Sequence, residues 1–370
     1  MSTPRARRAS TPRSGRASAV GSALARLLRR LGWAAIVIAG VTAVSFGIAY
    51  LLPGDAARML VGPQASAADL ERARAIHGLD RPVPVQFARF VRRLVHRGPA
   101  GGGDDSAPAA RAGARADPEH RSCAAGPLGL HVDLGYSFHY RKPVVDLLEA
   151  KVPRSVELAL AALLVQLLLG LSLGIVAAVR RGTAWEDAAL GATLLGASAP
   201  TFVIGPALQY VLAYKLRLLP YDGYGATAAD HLRSLVLPAL TLGVFGSALY
   251  ARIVREELRT LLRQDFIRTA RAKGASRLRA LVVHALRNAL LPLATLAALD
   301  LGALAGGAIV TEKLFRWPGV GSMAVEALQN RDGPLIVGTV LFSAAAIVLA
   351  TVALDVAALA LDPRLRSRSR

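Results

Sequence analysis

Little in this chain suits the making or breaking of a bond. One cysteine, three methionines and seven histidines stand among 370 residues. Cys123 has no second cysteine in the chain, so no disulfide framework can form. The histidines are scattered, and no Cys/His cluster has metal-ligand spacing. A phosphate-cradling Gly-x-x-x-x-Gly-Lys-Ser/Thr loop is missing, as are a nucleophile elbow and a zincin helix. No catalytic, cofactor-binding or metal-binding residue is therefore assigned, and the chain is not read as an enzyme. Acidic residues are also scarce where ion coupling would need them. Asp300 lies inside an apolar run, Asp355 near the end of another, and Glu157 just inside a third. Ion-driven transporters expose more than this within the membrane. An energy source has to come from a partner.

What the chain does have is length in its apolar runs, with 53% of residues hydrophobic. Six runs reach or approach the roughly 20 residues that cross a bilayer as a helix: 31–52, 155–179, 188–214, 235–251, 289–311 and 335–361. Backbone polar groups in lipid must pair within their own segment, so each run is a helix. The expected fold is all-α and polytopic, with lipid as its solvent. The run 31–52 is too long for a signal-peptide core of about 7–15 residues and is read as an uncleaved span.

The net charge of +20 is placed by topology and does not advertise nucleic acid. Residues 1–30 carry eight Arg and no acid, and the segment 252–288 carries ten Lys/Arg against three acids. The turn at Arg180 and Arg181 and the tail from Arg364 to Arg370 are basic too. Six crossings put all four regions on one side, which the positive-inside rule makes the cytoplasm, so both termini are expected inside. The basic tail 1–30 is expected to lack structure apart from a short lead into the membrane. The outer loop 53–154 should hold two amphipathic helices, one opened by Ser66 and ended by Gly78, the other over 85–95. Its stretch 98–127, dominated by Gly, Ala, Pro and charge, reads as a flexible insertion.

Residues 252–288 form a polar segment between two spans. Arg252, Arg255, Arg259 and Arg263 make a basic stripe where the fourth helix leaves the membrane. Leu258, Leu261 and Leu262 mark its other face, and Phe266 continues that face one turn later. Asp265 to Lys273 supports a short helix with an acid at its start and cations near its end. Gly274 suits the left-handed residue that ends it, and Ser276 can cap the helix that follows. The pattern is a helix–turn–helix along the inner surface. Small residues four apart, Gly170 with Gly174 and Gly302 with Gly306, suit close helix packing. Pro200 and Pro206 should bend the third span.

At these residues the chain resembles the inner-membrane permeases of ABC importers. That family carries a Glu-Ala-Ala-x-x-x-Gly motif whose short helix docks on the ATPase. The matching positions here are Arg268-Thr269-Ala270 with Gly274. Arg for Glu and Thr for Ala resemble the dipeptide/oligopeptide branch, as does His284-Ala285-Leu286-Arg287-Asn288-Ala289-Leu290-Leu291-Pro292. Similar branch features run along the chain: Pro53-Gly54-Asp55, Asp133-Leu134-Gly135-Tyr136-Ser137-Phe138, Pro153-Arg154-Ser155-Val156-Glu157, Phe315-Arg316-Trp317-Pro318-Gly319-Val320-Gly321, Arg331-Asp332 and Leu361-Asp362-Pro363-Arg364.

The resemblance implies a type I ABC importer permease fold, with its transmembrane core over about 152–361, in the inner membrane of a bacterium. It implies a second homologous permease subunit, two ATP-binding subunits that hold the ATP, and an extracytoplasmic substrate-binding protein. The coupling residues it points to are Asp265, Phe266, Ile267, Arg268, Thr269, Ala270, Arg271, Lys273, Gly274 and Ala275. Phe266, Ile267 and Ala270 are expected to form the apolar docking face. Asp300, Gly302, Gly306 and Pro200 are candidates for the pathway or for helix packing. The modal substrate is a di- or oligopeptide; nickel, glutathione and oligosaccharides are the alternatives within the branch. An ion-coupled secondary transporter and a membrane-embedded enzyme or scaffold are the readings outside it.

Overall fold

The computed structural model describes residues 15–51, 56–62, 64–77, 79–97, 123–125 and 130–361. Helix α1 (Gly15–Leu51) is continuous over 37 residues. It therefore starts inside the basic tail expected to lack structure, because Ala, Leu and Arg dominate there and the last proline is Pro12. Residues 1–14, where the rest of that expectation falls, lie outside the described residues, as do Pro53-Gly54-Asp55, Gly78 and 362–370.

Three short helices follow: α2 (Ala56–Val61), α3 (Ala67–His77) and α4 (Val83–Leu94). Ser66 caps α3, its Oγ accepting the Asp69 N–H at 3.2 Å. Helix α4 sets Phe87 and Phe90 against Phe46 of α1, with ring centres 5.3 and 5.7 Å apart. A small sheet departs from the purely helical expectation. In it β1 (Val95–Arg97) and β2 (Cys123–Ala125) flank β3 (Leu130–Asp133), all antiparallel. The β2 strand lies within the expected insertion 98–127, of which 98–122 and 126–127 are outside the described residues.

The remaining elements build the bundle. They are α5 (Val144–Val179), α6 (Ala184–Ser198), α7 (Thr201–Leu208, widening to a π-helical turn through Lys215), α8 (Ala228–Leu261) and α9 (Asp265–Ala272). Then come α10 (Arg277–Arg279, continued by a π-helical Ala280–Leu286), α11 (Arg287–Ala305), α12 (Ile309–Leu314), α13 (Val320–Gln329) and α14 (Gly333–Leu361). Among the described residues four helices, α1, α5, α8 and α14, are each long and apolar enough to cross a membrane, and counting each of two bent pairs as one span raises the number to six.

The boundaries shift from expectation in a consistent way. Helices α5 and α8 begin before the runs 155–179 and 235–251, because polar first turns at Asp146 and Asp230 extend them past the apolar part. The fifth crossing ends at Ala305, and Thr311 belongs to the separate α12. The third crossing is broken, with α6 and α7 at 108° to each other. The break falls at Ala199 (ψ 121°) before Pro200 (ψ 153°), since a proline disfavours helical backbone in the residue ahead of it.

Helices α5 and α8 run side by side in the same direction, packed through glycines. A Cβ on Gly170 would meet the Tyr250 Cβ at 2.4 Å, and one on Gly174 would meet the Val254 Cβ at 2.6 Å. The connecting α6–α7 must therefore return between their ends. It does so, from Glu186 beside Arg255, past Gly196 against Val244, to Gly205 against Leu314 and Phe315. Ala49 near the end of α1 faces Gly333 at the start of α14. The start of α1 and the end of α14 thus lie at the end of the bundle that carries α9.

Three apolar clusters stack along the bundle. Val144, Leu148, Met323 and Leu335 fill the end opposite α9. Leu158, Ala162, Leu242 and Trp317 fill the next level, and Tyr250, Val254, Leu258, Ala285 and Leu293 fill the α9 end.

At the opposite end, buried carboxylates organise the chain. Glu312, fully buried, accepts Ser155 Oγ at 2.9 Å and the Ser322 N–H at 2.8 Å. Burial pushes its carboxyl above the ordinary range, and these donors oppose that shift. Asp332, also buried, accepts Ser137 Oγ at 2.5 Å and the His139 N–H at 3.0 Å, tying the loop before α5 to α14. Asp133 holds Arg93 Nη2 at 2.7 Å and the Gly135 N–H at 2.7 Å. Glu157, noted in the sequence for its place near the membrane, bonds to His231 in an aromatic group with Tyr224 and Trp317.

Candidate functional site: the α9 elbow

The elbow is defined by its turns. Helix α8 ends at Leu261, and Asp265 opens α9 after a turn through Gln264, whose φ/ψ of −74° and 154° is extended. At the far end Gly274 has φ +91°. The Gly274 N–H reaches Arg271 O at 3.0 Å and the Ala275 N–H reaches Ala270 O at 3.1 Å, a Schellman closure. Nothing stands within 4 Å of where a Gly274 Cβ would lie, so glycine is favoured there by backbone conformation and not by crowding. Ser276 Oγ then accepts the Arg279 N–H at 3.2 Å and caps the next helix.

Ile267 roots the elbow. It is 3% exposed and packs in one cluster with Leu258 and Val254 of α8 and with Ala280, Ala285, Ala289 and Leu293. Two expectations are corrected here. Ile267 was expected on the docking face and instead faces the chain's own core. Phe266 was expected to continue the face of Leu258 and Leu262, but it is 38% exposed. The turn 262–264 resets the helical phase, so the inward position moves from 266 to 267. Burying Ile267 contributes roughly 1.5–3 kcal/mol to holding α9 in place.

The outward face of α9 is cationic around one aromatic ring. Asp265, Phe266, Arg268, Thr269, Arg271, Lys273 and Gly274 are exposed, while Ala270 and Ala275 are half-buried. Arg268 and Asp265 approach to 3.4 Å but are largely exposed, a contact of little weight in water. The face is free to meet another surface, offering cations for carboxylates and Phe266 for an apolar recess.

A clamp that the sequence did not suggest joins this end of the bundle to the third crossing. Glu186, in the first turn of α6, takes Arg255 Nη2 at 3.0 Å and also pairs with Arg259. Its other oxygen accepts the Gly182 N–H at 2.8 Å. Two arginines of the basic stripe are thus committed inside the protein. Arg255 Nε and Arg259 Nε are buried without a hydrogen-bond partner. Arg255 also pairs with Glu256 at 2.5 Å, whereas Glu186 is the one acidic partner of Arg259 among the described residues, so without Glu186 that second cation is left uncompensated at the junction. The only sequence trace was an acid shortly after a basic turn, which also fits an ordinary helix start.

The other candidates lie away from the elbow. Asp300 Oδ2 accepts the Tyr250 hydroxyl at 3.2 Å. A Cβ on Gly302 would meet the Ala350 Cβ at 2.4 Å, and Gly306 lies against Ser343, so both sit at the α11–α14 contact. Pro200 sits at the break between α6 and α7.

Residues 170–367 match the family described as "Binding-protein-dependent transport system inner membrane component", and residues 23–113 match the N-terminal part described for such membrane components. Among curated relatives, the dipeptide transport system permease protein DppB of Escherichia coli K12 is 29% identical, over 92% of this chain and 98% of its own length. The probable D,D-dipeptide transport system permease protein DdpB of the same strain is 33% identical, over 92% and 97%. The glutathione transport system permease protein GsiC of Salmonella paratyphi A is 33% identical, over 88% and 94%. A solved structure of the MetNI methionine ABC transporter in inward-facing form aligns with a TM-score of 0.46 at 18% identity, over 60% of this chain and 98% of that one. With a helical bundle, an elbow between its fourth and fifth crossings and these matches over most of its length, the chain belongs to the inner-membrane permease subunits of binding-protein-dependent ABC importers.

Proposed function

We propose that this chain is one of two homologous permease subunits that carry di- or oligopeptides across the bacterial inner membrane by alternating access. Two ATP-binding subunits would sit against α9, and a substrate-binding protein would meet the opposite end. The α9 end, with the start of α1 and the end of α14, then faces the cytoplasm, in keeping with the basic residues gathered there. Closure of the ATPases pushes α9. The push passes through Ile267 into α8 and α11, and through Glu186 into the broken third crossing, so that the span bundles rock.

The observation that carries this reading is the elbow itself, anchored by a residue 3% exposed and bearing an outward face that no part of the described chain covers. Phe266, Arg268, Arg271 and Lys273 supply the contact, Gly274 the reversal, and Ile267 the anchor. Names of relatives support the peptide substrate, with glutathione, itself a peptide, as the second choice. Two experiments test the proposal. Cysteines placed near Ala270 are expected to crosslink to an ATPase subunit in a working complex; a complex that transports yet forms no such crosslink refutes the elbow's role. Gly274→Val is expected to keep membrane insertion while abolishing uptake and substrate-stimulated ATP hydrolysis.

A further inference from the structure

Asp300 is a charged group that the rocking mechanism does not use. It lies well inside α11, two residues before Gly302, which packs against Ala346 and Ala350 near the middle of α14. Its Oδ2 accepts the hydroxyl of Tyr250, whose ring is 1% exposed in the core around α8, so that hydroxyl is fixed in position. The second oxygen, Oδ1, takes no hydrogen bond among the described residues, and Asp300 is half-buried, so the residue reaches the surface of the subunit. No Lys or Arg pairs with Asp300 among the described residues.

A carboxylate at this depth cannot face hydrocarbon without a large desolvation penalty. The surface it reaches is therefore one that is wet or covered by a partner, as a translocation pathway between two permease subunits is. From this juxtaposition we propose that Asp300, oriented by Tyr250, is a cation subsite on the pathway that takes the ammonium group of a passing peptide. The inference rests on the permease reading and gives it a substrate contact. A metal ion fits the site less well. Ca²⁺ and Mg²⁺ take about six or more oxygen ligands and Zn²⁺ about four N, O or S ligands, and no group of three His, Cys, Asp or Glu among the described residues could hold one. One free carboxylate oxygen beside a neutral hydroxyl suits a single N–H donor and a charge-assisted hydrogen bond. A lone contact also lets the substrate leave.

The test uses the full complex with its binding protein in proteoliposomes. In a Cys123→Ser background, Asp300→Cys should react with a water-soluble thiol reagent in at least one nucleotide state, and a saturating dipeptide under turnover should slow that reaction. Asp300→Asn should raise the KM for dipeptide uptake about tenfold, because the amide oxygen can accept the ammonium only without the assistance of a negative charge, with binding-protein affinity and basal ATP hydrolysis unchanged. Asp300→Glu should restore part of the uptake. Tyr250→Phe, which keeps the carboxylate and loses its orienting hydroxyl, should give a smaller rise in KM. The proposal is overturned if position 300 is never labelled, if labelling is indifferent to substrate, or if Asp300→Asn transports with the wild-type KM. Failure of the wild-type complex to take up peptide with ATP would refute the permease reading instead, so the two failures are distinct.

Discussion

The two ends of the bundle are built by different means. Opposite α9, chain segments distant in sequence are joined through buried carboxylates. Glu312 binds Ser155 and the Val320–Gln329 helix start, Asp332 binds the loop before α5, and Asp133 binds Arg93 of α4. At the α9 end apolar packing around Ile267 does most of the joining, with one ionic clamp at Glu186, and charge is turned outward. Saturated buried hydrogen bonds specify one geometry and tolerate little displacement. Apolar contact between helices resists separation but lets packed elements shift together, which is what an element under load from a motor requires. Under the proposed function, the carboxylate-bound end would anchor the subunit and the α9 end would transfer force.

The sharpest way to break this contrast is to remove an anchor. Glu312→Ala strands the Ser155 hydroxyl and the Ser322 N–H inside the protein and should destabilise the subunit by about 4 kcal/mol, read as a lowered thermal midpoint in detergent. A midpoint like wild type's would mean that end is not held by its carboxylates. Ile267→Ala should weaken the seating of α9 by about 3 kcal/mol while leaving the opposite end untouched. Hydrogen exchange should quicken at 265–275 only, and uptake should fall with insertion normal.

Glu186→Gln removes the charge shared by Arg255 and Arg259. It should lower peptide moved per ATP hydrolysed severalfold, at a stability loss of about 1–2 kcal/mol; unchanged coupling would show that force does not pass through α6. Gly274→Ala forces a Cβ into a left-handed position and should cost about 1 kcal/mol, seen as a modest loss of coupled ATP hydrolysis. Arg268→Ala should move stability by less than about 0.5 kcal/mol and yet weaken retention of the ATPase subunit in pull-down. Equal retention would remove Arg268 from the contact face.

Much of the elbow was legible because local rules govern it. A positive-φ glycine, a serine cap and an acid at a helix start depend on neighbours in sequence, and Gly274, Ser276 and Asp265 occupy those positions. Which residue faces inward was not legible, because a three-residue turn shifted the phase by one and exchanged Phe266 for Ile267. The Glu186 clamp and the Asp332 and Glu312 hubs were equally hidden. The partners that join them to other elements, Arg255 for Glu186, Ser137 for Asp332 and Ser155 for Glu312, lie at least 69 residues away in sequence, and no spacing rule reaches that far.

By itself the sequence determined that this protein crosses a membrane repeatedly as helices, and where the chain must turn back, since hydrocarbon admits only backbone that satisfies its own hydrogen bonds. The distribution of Arg and Lys also set the expectation that both termini face the cytoplasm. Only the tertiary structure decided that Gly170 and Gly174 of α5 meet Tyr250 and Val254 of α8, that the bend in the third crossing opens to 108°, and that Asp300 pairs with Tyr250. Those outcomes depend on which surfaces meet across the bundle, and close packing between distant segments leaves no periodic mark on either one alone.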